Sequence, residues 1–267
     1  MAITALYTAA TGMRAMEQKL DVVANNLANV ETVGFKSSRV DFEDLLYRVL
    51  ERPGKTNPQQ EPIPIGTVIG LGVLMSGTQL DFRQGSFDVT GNSLDLSIAG
   101  EGLFQVITQV DGQETTAYTR AGNFTKNANG QLVLANSVGS RLEPPITIPP
   151  NATQIDIGVD GKVIVTESGV QNEVGQIQLA RFVNPAGLLQ NGKNLFLQTV
   201  ASGEPVVGNP TEQGLGEIQS KTLELSNVDP VKELVELIRT QRAFEINSQV
   251  IRAADENLQT LNNLRVF

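Results

Sequence analysis

The residue types that most often carry out chemistry in proteins are missing from this chain of 267 residues. It has no histidine and no cysteine, which removes the commonest general base and the thiolate nucleophile. Serine triads, two-histidine metal sites and imidazole proton relays are therefore excluded. The 29 acidic residues could in principle supply a two-carboxylate hydrolase, but they lie scattered along the chain. The sequence therefore predicts a protein with no catalytic residues, no cofactor and no metal site.

A glycine-rich stretch, GTVIGLGVLMSG at 66–77, is a second place to look for chemistry. The spacing of its glycines fits neither of the two nucleotide-binding fingerprints, and no Lys-Ser or Lys-Thr pair follows it. Glycines inside strands more often mark a bend or the close approach of another segment. We therefore expect these glycines to have a packing role.

The charge and apolar patterns restrict the class of partner. A formal net charge of −9 argues against a protein that binds the phosphate backbone of nucleic acids. No stretch approaches 18 continuous apolar residues, so we expect no membrane insertion. The N-terminal residues lack the basic segment, apolar run and cleavage site of a secretory signal. If the protein leaves the cytoplasm, we expect it to use another route.

Three neighbouring amides, Asn25, Asn26 and Asn29, need a different explanation. Asparagine is a poor helix former, ~0.6 kcal/mol worse than alanine, yet these residues lie among apolar residues at helical spacing. An amide is short and uncharged, and it both donates and accepts hydrogen bonds. It suits a helix whose outer side packs against neighbouring chains, where a charge would be costly. The sequence therefore assigns these three residues to a self-assembly surface.

The element that must position these amides is an N-terminal helix. A strict 3–4 alternation places apolar residues at Leu6, Ala9, Met13, Met16, Leu20, Val23, Leu27 and Val30. This heptad pattern predicts a helix of about 25 residues, on the order of 40 Å long, with the asparagines on the side away from its seam. An ordinary core helix or a membrane-surface helix are the alternatives. We expect Gly34 to end the helix in a left-handed turn, with Phe35 packing beyond it.

A second heptad pattern occupies the C-terminal end. Asp229 and Pro230 form a favourable helix start, with a capping carboxylate followed by a proline at the first position. The seam positions that follow are Leu237, Thr240, Phe244, Asn247, Ile251, Ala254, Leu258 and Leu261. A buried amide at Asn247 would fix the register of the helices at some cost in stability. We expect the two terminal helices to pair with each other and their remaining apolar surface to meet other copies.

The middle of the chain, about 68 to 222, has the pattern of an all-β domain. Short alternating runs are separated by the hairpin signals Asp111-Gly112, Asn129-Gly130, Asp160-Gly161 and Asn191-Gly192. Before it, the spacing of Phe42, Leu45, Leu46 and Val49 suggests a short helix, and a proline-rich run follows at 53–64.

The fold predicted from these patterns is α+β and multidomain, with an all-β domain inserted between two long terminal helices that form a coiled coil. The predicted domains are a helical domain of 1–35 with 225–267, an extended bridging segment at 36–67, and a β-rich outer domain at 68–224.

The chain resembles a known family, that of the bacterial flagellar rod and hook proteins. Four separated stretches carry the resemblance in the family's order: ANNLANVETVGFK (24–36), LDLSIAGEGLFQV (94–106), YTRAGNFTKNANGQLV (118–133) and SNVDPVKELVELIRTQRAFEINSQVI (226–251). The opening ALYTAATGM (5–13) and the stretch DFEDLLYRVLERPG (41–54) are most similar to the distal part of the rod. The likeness covers nearly the whole chain.

The resemblance implies a structural subunit that is exported by the flagellar type III apparatus without a cleaved signal. Such subunits polymerise helically into a hollow, rigid drive shaft that spans the periplasm within the basal body and transmits motor torque to the hook. The implied partners are further copies of the chain, other rod proteins below, the hook protein above, the ring proteins that form a bushing and the export apparatus. Terminal helices would line the tube, and β domains would lie outside.

Two alternatives stay open from the sequence. One is another axial component, either a proximal rod protein or a hook subunit, and the other is a β-rich domain with a helical stalk that binds or hydrolyses glycans. On the structural reading, the residues predicted for self-assembly are Leu6, Met13, Met16, Leu20, Val23, Asn25, Asn26, Leu27, Asn29, Val30, Gly34, Phe35, Leu237, Phe244, Asn247, Ile251, Leu258 and Leu261.

Overall fold

The computed structural model describes residues 2–54, 64–110 and 112–264, and their side chains between residues 4 and 260. The fold is α+β, with one long helix at each end of the chain and a β-rich middle. Most of the proline-rich run at 53–64, together with Asp111 and the side chain of Leu261, lies outside the described residues.

Two helices and twenty short strands follow one another along the described chain. They are α1 (Ala2–Ala28), β1 (Ser38–Asp44), β2 (Tyr47–Glu51), β3 (Thr67–Gly70), β4 (Val73–Leu80), β5 (Phe87–Val89), β6 (Leu96–Ala99), β7 (Leu103–Val110), β8 (Gln113–Thr119), β9 (Phe124–Lys126), β10 (Leu132–Leu134), β11 (Arg141–Glu143), β12 (Gln154–Ile157), β13 (Lys162–Glu167), β14 (Val170–Gln176), β15 (Leu179–Arg181), β16 (Leu189–Gln190), β17 (Phe196–Leu197), β18 (Val206–Gly208), β19 (Glu217–Ser220), β20 (Thr222–Glu224) and α2 (Pro230–Leu264). A single 3₁₀ turn lies at Pro185–Gly187.

The chain divides into two compact units. The helical unit consists of 1–27, 38–79 and 230–267, and the β body consists of 28–37 and 80–229. The chain therefore passes from one unit to the other four times, after residues 27, 37, 79 and 229.

The helical unit contains α1, α2 and two small sheets, in which β1 pairs with β4 and β2 pairs with β3. The helix α2 begins at Pro230, which confirms the predicted start. The short helix predicted around Phe42 is wrong, because β1 and β2 occupy this stretch. The 3–4 spacing of its apolar residues fitted a helix, but strands at 67–80 supply backbone partners that local spacing cannot reveal.

The packing role predicted for the glycines at 66–77 is confirmed at Gly72, whereas a Cβ atom at Gly77 would meet nothing within 4 Å. Gly72 has a φ of +121°, and a Cβ atom there would lie 2.1 Å from Thr11 Oγ1. No side chain fits at that distance, so the start of β4 lies directly against α1.

The β body is built on a sheet in which the strands follow the order β16-β17-β8-β7-β11-β10-β9, with β15 also pairing with β7. The β12-β13-β14 sheet packs into the same apolar core, since Val163 and Val165 of β13 belong to the buried cluster. Large side chains such as Leu96, Ile98 and Phe104 are fully buried in this core. The body therefore has the closed apolar interior of an ordinary globular domain.

The predicted hairpin signals lie at hairpins. Asn129-Gly130 connects β9 to β10, Asp160-Gly161 connects β12 to β13, and Asn191-Gly192 connects β16 to β17, each as an antiparallel pair. Gly112 lies directly before β8, which pairs antiparallel with the preceding strand β7. The turn chemistry in the sequence therefore predicted these connections correctly.

Candidate self-assembly site

The terminal helices lie side by side and antiparallel within the helical unit. Lys19 Nζ lies 3.5 Å from Glu236 Oε2, whereas a Cβ atom added to Gly12 would lie 3.1 Å from Asn247 Nδ2. Residue numbers thus rise along one helix as they fall along the other. The Asn247 amide approaches the backbone of α1 at Gly12, where the absence of a side chain makes room for it.

The predicted seam residues are mostly half-buried in this single chain. They are Leu6, Met13, Met16, Leu20, Leu27, Leu237, Phe244, Asn247, Ile251 and Leu258. Among the described side chains of α1 and α2, the buried apolar ones are Ala9, Ala15, Val23 and Ala254. Three alanines and one valine cannot form a core like that of the β body, so the pair leaves its large apolar side chains partly in contact with solvent.

A second apolar stripe on α2 is exposed. Its members are Leu234, Val235, Ile238, Ile246 and Val250, of which Ile246 is 59 % exposed. At 3.6 residues per turn, Val235 and Ile246 lie on the side of α2 opposite to the seam around Phe244, whereas Leu234, Ile238 and Val250 lie on its flanks. The helix therefore carries exposed apolar side chains outside its seam.

The three asparagines have three different environments. Asn25 is exposed, Asn26 is 2 % exposed, and Asn29 lies beyond the end of α1 at Ala28. Val30 also follows the helix and is half-buried in the turn after it. The predicted position of Asn26 on an outer face is therefore wrong, and so is the placement of Asn29 and Val30 on the helix.

The reason for the burial of Asn26 is a reversal of the chain. After the turn at 29–34, the first residue of β1 lies beside the last turn of α1. Asn26 Oδ1 accepts a hydrogen bond from the Ser38 N–H at 2.9 Å, and Asn26 Nδ2 donates to the Ser38 carbonyl at 2.9 Å. The same Nδ2 lies 3.4 Å from Glu233 Oε1 of α2. One amide thus binds the backbone of β1 and contacts the other helix.

Gly34 and Phe35 lie on the β body. Gly34 has a φ of +68°, and a Cβ atom there would lie 2.6 Å from the Ala121 nitrogen. Its left-handed conformation was predicted correctly, but it does not end α1, which stops six residues earlier. The Gly34 N–H donates to the Glu224 carbonyl at 2.8 Å, and Phe35 is buried. The role of both residues in self-assembly stays a prediction.

An ionic cluster that sequence reasoning missed follows directly after Phe35. Lys36 and Glu224 are both 0 % exposed, and Lys36 Nζ lies 2.7 Å from Glu224 Oε1. Arg120 Nε lies 3.0 Å from Glu224 Oε2, and its side chain is 5 % exposed. Burial lowers the pKa of Lys36, although Glu224 acts in the opposite direction, and burial also lowers the pKa of Arg120. No sequence pattern marks these three residues as partners, because they lie far apart along the chain.

In the described parts of the chain, no helix combines the length and apolarity needed to cross a bilayer. No group of three or more acidic residues in residues 4–54, 64–110 and 112–260 is arranged to hold a metal ion.

Three domain families match the chain in sequence order. A family described as flagella basal body rod protein matches residues 6–36. The D1 domain of flagellar hook protein FlgE/F/G matches 97–165, and the C-terminal domain of flagellar basal body rod FlgEFG protein matches 219–264. These ranges include α1 from residue 6 onward, strands β7 to β11 of the main sheet of the β body, and α2.

Full-length relatives are similar as well. Flagellar basal-body rod protein FlgG of Caulobacter vibrioides is 44 % identical over 264 residues, which cover 98 % of this chain and 99 % of the relative. FlgG of Agrobacterium fabrum is 46 % identical over 255 residues, covering 94 % and 95 %. Flagellar basal-body rod protein FlgF of Caulobacter vibrioides is 34 % identical over 271 residues, covering 97 % and 99 %. Of these two proteins of Caulobacter vibrioides, the chain is therefore more similar to FlgG than to FlgF.

Proposed function

The chain belongs to the flagellar basal-body rod protein FlgG family and is a structural, non-enzymatic subunit of the distal rod, and we propose that copies of it polymerise helically into a hollow, rigid shaft through their terminal helices. In this proposal the helices form the inner layer and the β bodies lie outside. The shaft transmits motor torque to the hook.

One observation carries this proposal, namely the unfinished packing of the terminal helices. Among the described helix side chains, the buried apolar ones are all small, whereas the stripe around Ile238 and Ile246 is exposed. Burial of an apolar side chain contributes about 1.5–3 kcal/mol. These exposed side chains therefore favour association with copies of the same chain, because the stripe on α2 of one copy can pack against the half-buried seam residues of another.

The hairpin of β2 and β3 gives a second, independent argument. All residues of β2 are exposed, and its apolar side chains Tyr47, Val49 and Leu50 are each at least half exposed. An isolated two-stranded hairpin is marginally stable in water. Contact with a neighbouring copy would cover these side chains.

We further propose that α1 and α2 form a coiled-coil domain, interrupted in sequence by the β-rich domain. The antiparallel contacts from Gly12–Asn247 to Lys19–Glu236 support this arrangement. The heptad residues that are half-buried in one chain would complete the seam in the polymer.

The partners and location follow from the position of the distal rod. We propose that other rod proteins lie below this subunit, that the hook protein lies above it, and that ring proteins surround the β bodies in the periplasm. The flagellar export apparatus would deliver the subunit without a cleaved signal. A glycan hydrolase is not favoured, since the family to which the chain belongs is structural.

Charge placed on the exposed stripe tests the proposal. In Ile238→Glu and Ile246→Glu, the carboxylate faces solvent in the single chain but would be buried without a partner in the polymer. We expect normal secondary structure by circular dichroism and a loss of distal rods in electron micrographs of basal bodies from cells that carry the variant.

The matched control is Val183→Glu, which places the same charge at a residue of the β body that is 88 % exposed. We expect it to form rods of normal appearance. Normal rods from both stripe variants, or the loss of rods in the control as well, would contradict the assignment of the polymer contact to α2.

A further inference from the structure

The buried cluster around Glu224 lies where the chain enters and leaves the β body. Apart from Arg120, the clustered residues belong to three segments, 34–37, 81–86 and 224–227. Each segment ends or begins within a few residues of a passage between the units, after residues 37, 79 and 229. The fourth passage, after residue 27, leads through the turn at 29–34 into the first of these segments.

The ionic part of the cluster binds backbone as well as charge. Lys36 Nζ donates to the Arg83 carbonyl at 2.7 Å, and Glu224 Oε1 accepts from the Gly85 N–H at 2.9 Å. Arg120 donates to the carbonyls of Gly102 at 2.8 Å and Gly100 at 2.7 Å. The charges therefore fix backbone groups of the second segment and of the loop between β6 and β7.

Asn227 ties the same segments together a second time. Its Oδ1 accepts from the Ser37 N–H at 2.8 Å, and its Nδ2 donates to the Asp81 carbonyl at 2.7 Å and to the Arg83 carbonyl at 3.1 Å. Backbone bonds complete the set, because the Asp81 N–H donates to the Ser37 carbonyl at 2.9 Å. One amide side chain thus links all three segments.

We propose that Lys36, Arg120, Glu224 and Asn227 form a clamp that fixes every passage of the chain to the β body, so that force carried by the chain reaches the body without local backbone movement. These four are positioning residues, and their mechanical role rests on the proposed function as a torque-transmitting shaft. Asn227 is part of the clamp although it carries no charge.

Stability alone does not account for this choice of side chains. Buried ion pairs replaced by apolar groups of similar volume often give equal or greater stability. An apolar cluster, however, cannot hold the carbonyls of Gly100, Gly102 and Arg83 or the N–H of Gly85. Charge-assisted hydrogen bonds do so with a defined direction and are roughly twice as strong as neutral ones.

Hydrogen exchange of the soluble full-length chain tests the clamp without any need for polymerisation. In Asn227→Ala and Glu224→Gln, we expect the amides of Ser37, Asp81 and Gly85 to exchange at least tenfold faster. The amides of β7 and β8 should keep their rates, because these strands lie in the core of the sheet. The control Glu114→Gln removes an exposed ion pair with Arg141 on the same body and should change none of these rates.

The variants separate a clamp from a purely structural role. An equal rise in exchange throughout the β body, or no rise at the three clamped amides, would overturn the proposal. If Glu224→Gln does not fold, the uncharged substitution Asn227→Ala decides, since it leaves the ionic cluster in place. The apolar triple variant Lys36→Met/Arg120→Met/Glu224→Leu removes the acceptor of the Gly85 N–H. It should therefore exchange rapidly at Gly85, whereas slow exchange there would contradict the clamp.

A separate measurement addresses the mechanical role. Cells with Asn227→Ala should build rods in normal number, and isolated rods should deform more than those of the parent under the same applied force. Equal stiffness of the two kinds of rod would contradict force transfer through the clamp. The absence of rods in the stripe control Val183→Glu would instead count against the proposed polymer contact, so the two failures are distinguishable.

Discussion

Replacement of Asn26 by alanine tests whether this amide organises the subunit from within. Asn26 is 2 % exposed and makes two hydrogen bonds of 2.9 Å with the backbone of Ser38. In Asn26→Ala both bonds are lost, and the N–H and carbonyl of Ser38 are left without these partners. The start of β1 should then separate from the last turn of α1.

The magnitude follows from the contacts. Two neutral hydrogen bonds contribute about 1 kcal/mol each, and the loss of a partner for a buried group adds about 1–3 kcal/mol. Ser38 is half-buried, so water can replace part of what is lost. Alanine also favours the helix by ~0.6 kcal/mol relative to asparagine. We therefore expect a net destabilisation of about 2 kcal/mol, equivalent to a fall in the melting temperature of the helical unit on the order of 10 °C.

The assay is thermal unfolding followed by far-ultraviolet circular dichroism, together with hydrogen exchange at the amides of Ser38 and Arg39. The control is Gln18→Ala, which removes an exposed amide side chain from the same helix. It should unfold at or slightly above the temperature of the parent chain. An unchanged melting temperature and unchanged exchange in Asn26→Ala, or an equal fall in the control, would refute the reasoning.

Two further predictions concern the seam of α1 and the fall in the unfolding free energy at acid pH. Leu20→Asp places a carboxylate in the half-buried seam of α1. We therefore expect electron micrographs to show no rods, while the near-ultraviolet circular dichroism of the β body is unchanged. Normal rods from this variant would contradict the seam assignment. The hydrogen bond from Arg83 holds the pKa of Asp81 below its ordinary value of 3.8, so this stabilisation is present above that pH and is lost as the pH falls through the folded-state pKa. The difference in unfolding free energy between the parent chain and Asp81→Asn should therefore shrink below pH 3.8, and a constant difference in acid titrations would contradict it.

The sequence predicted those features that depend on neighbouring residues. Asn129-Gly130 and Asp160-Gly161 specify hairpins because their conformational preferences are local. The start of α2 at Pro230 was likewise readable, because a proline at the first position of a helix loses no hydrogen bond. The α+β class followed from the change of apolar period between the ends and the middle.

The features that the sequence did not predict depend on residues far apart in the chain. Asn26 is buried because the chain reverses and places Ser38 beside it. Glu224 forms an ion pair with Lys36, although the two residues lie near opposite ends of the sequence of the β body. In both cases the polar side chain looks like one that would face solvent, and only its partner explains its burial. The helix predicted around Phe42 was wrong for the same reason, since the strand partners β3 and β4 begin only at Thr67 and Val73.

Asn26 and Asn227 show how the subunit divides polar and apolar contacts. Asn26 binds the backbone of β1 within the helical unit, and Asn227 binds backbone groups of two other segments within the β body. Neither contact uses a large apolar side chain. Residues such as Ile238 and Ile246 are exposed on α2. The contacts of Asn26 therefore help the helical unit to keep a defined arrangement while its apolar surface stays exposed for the proposed contact with other copies.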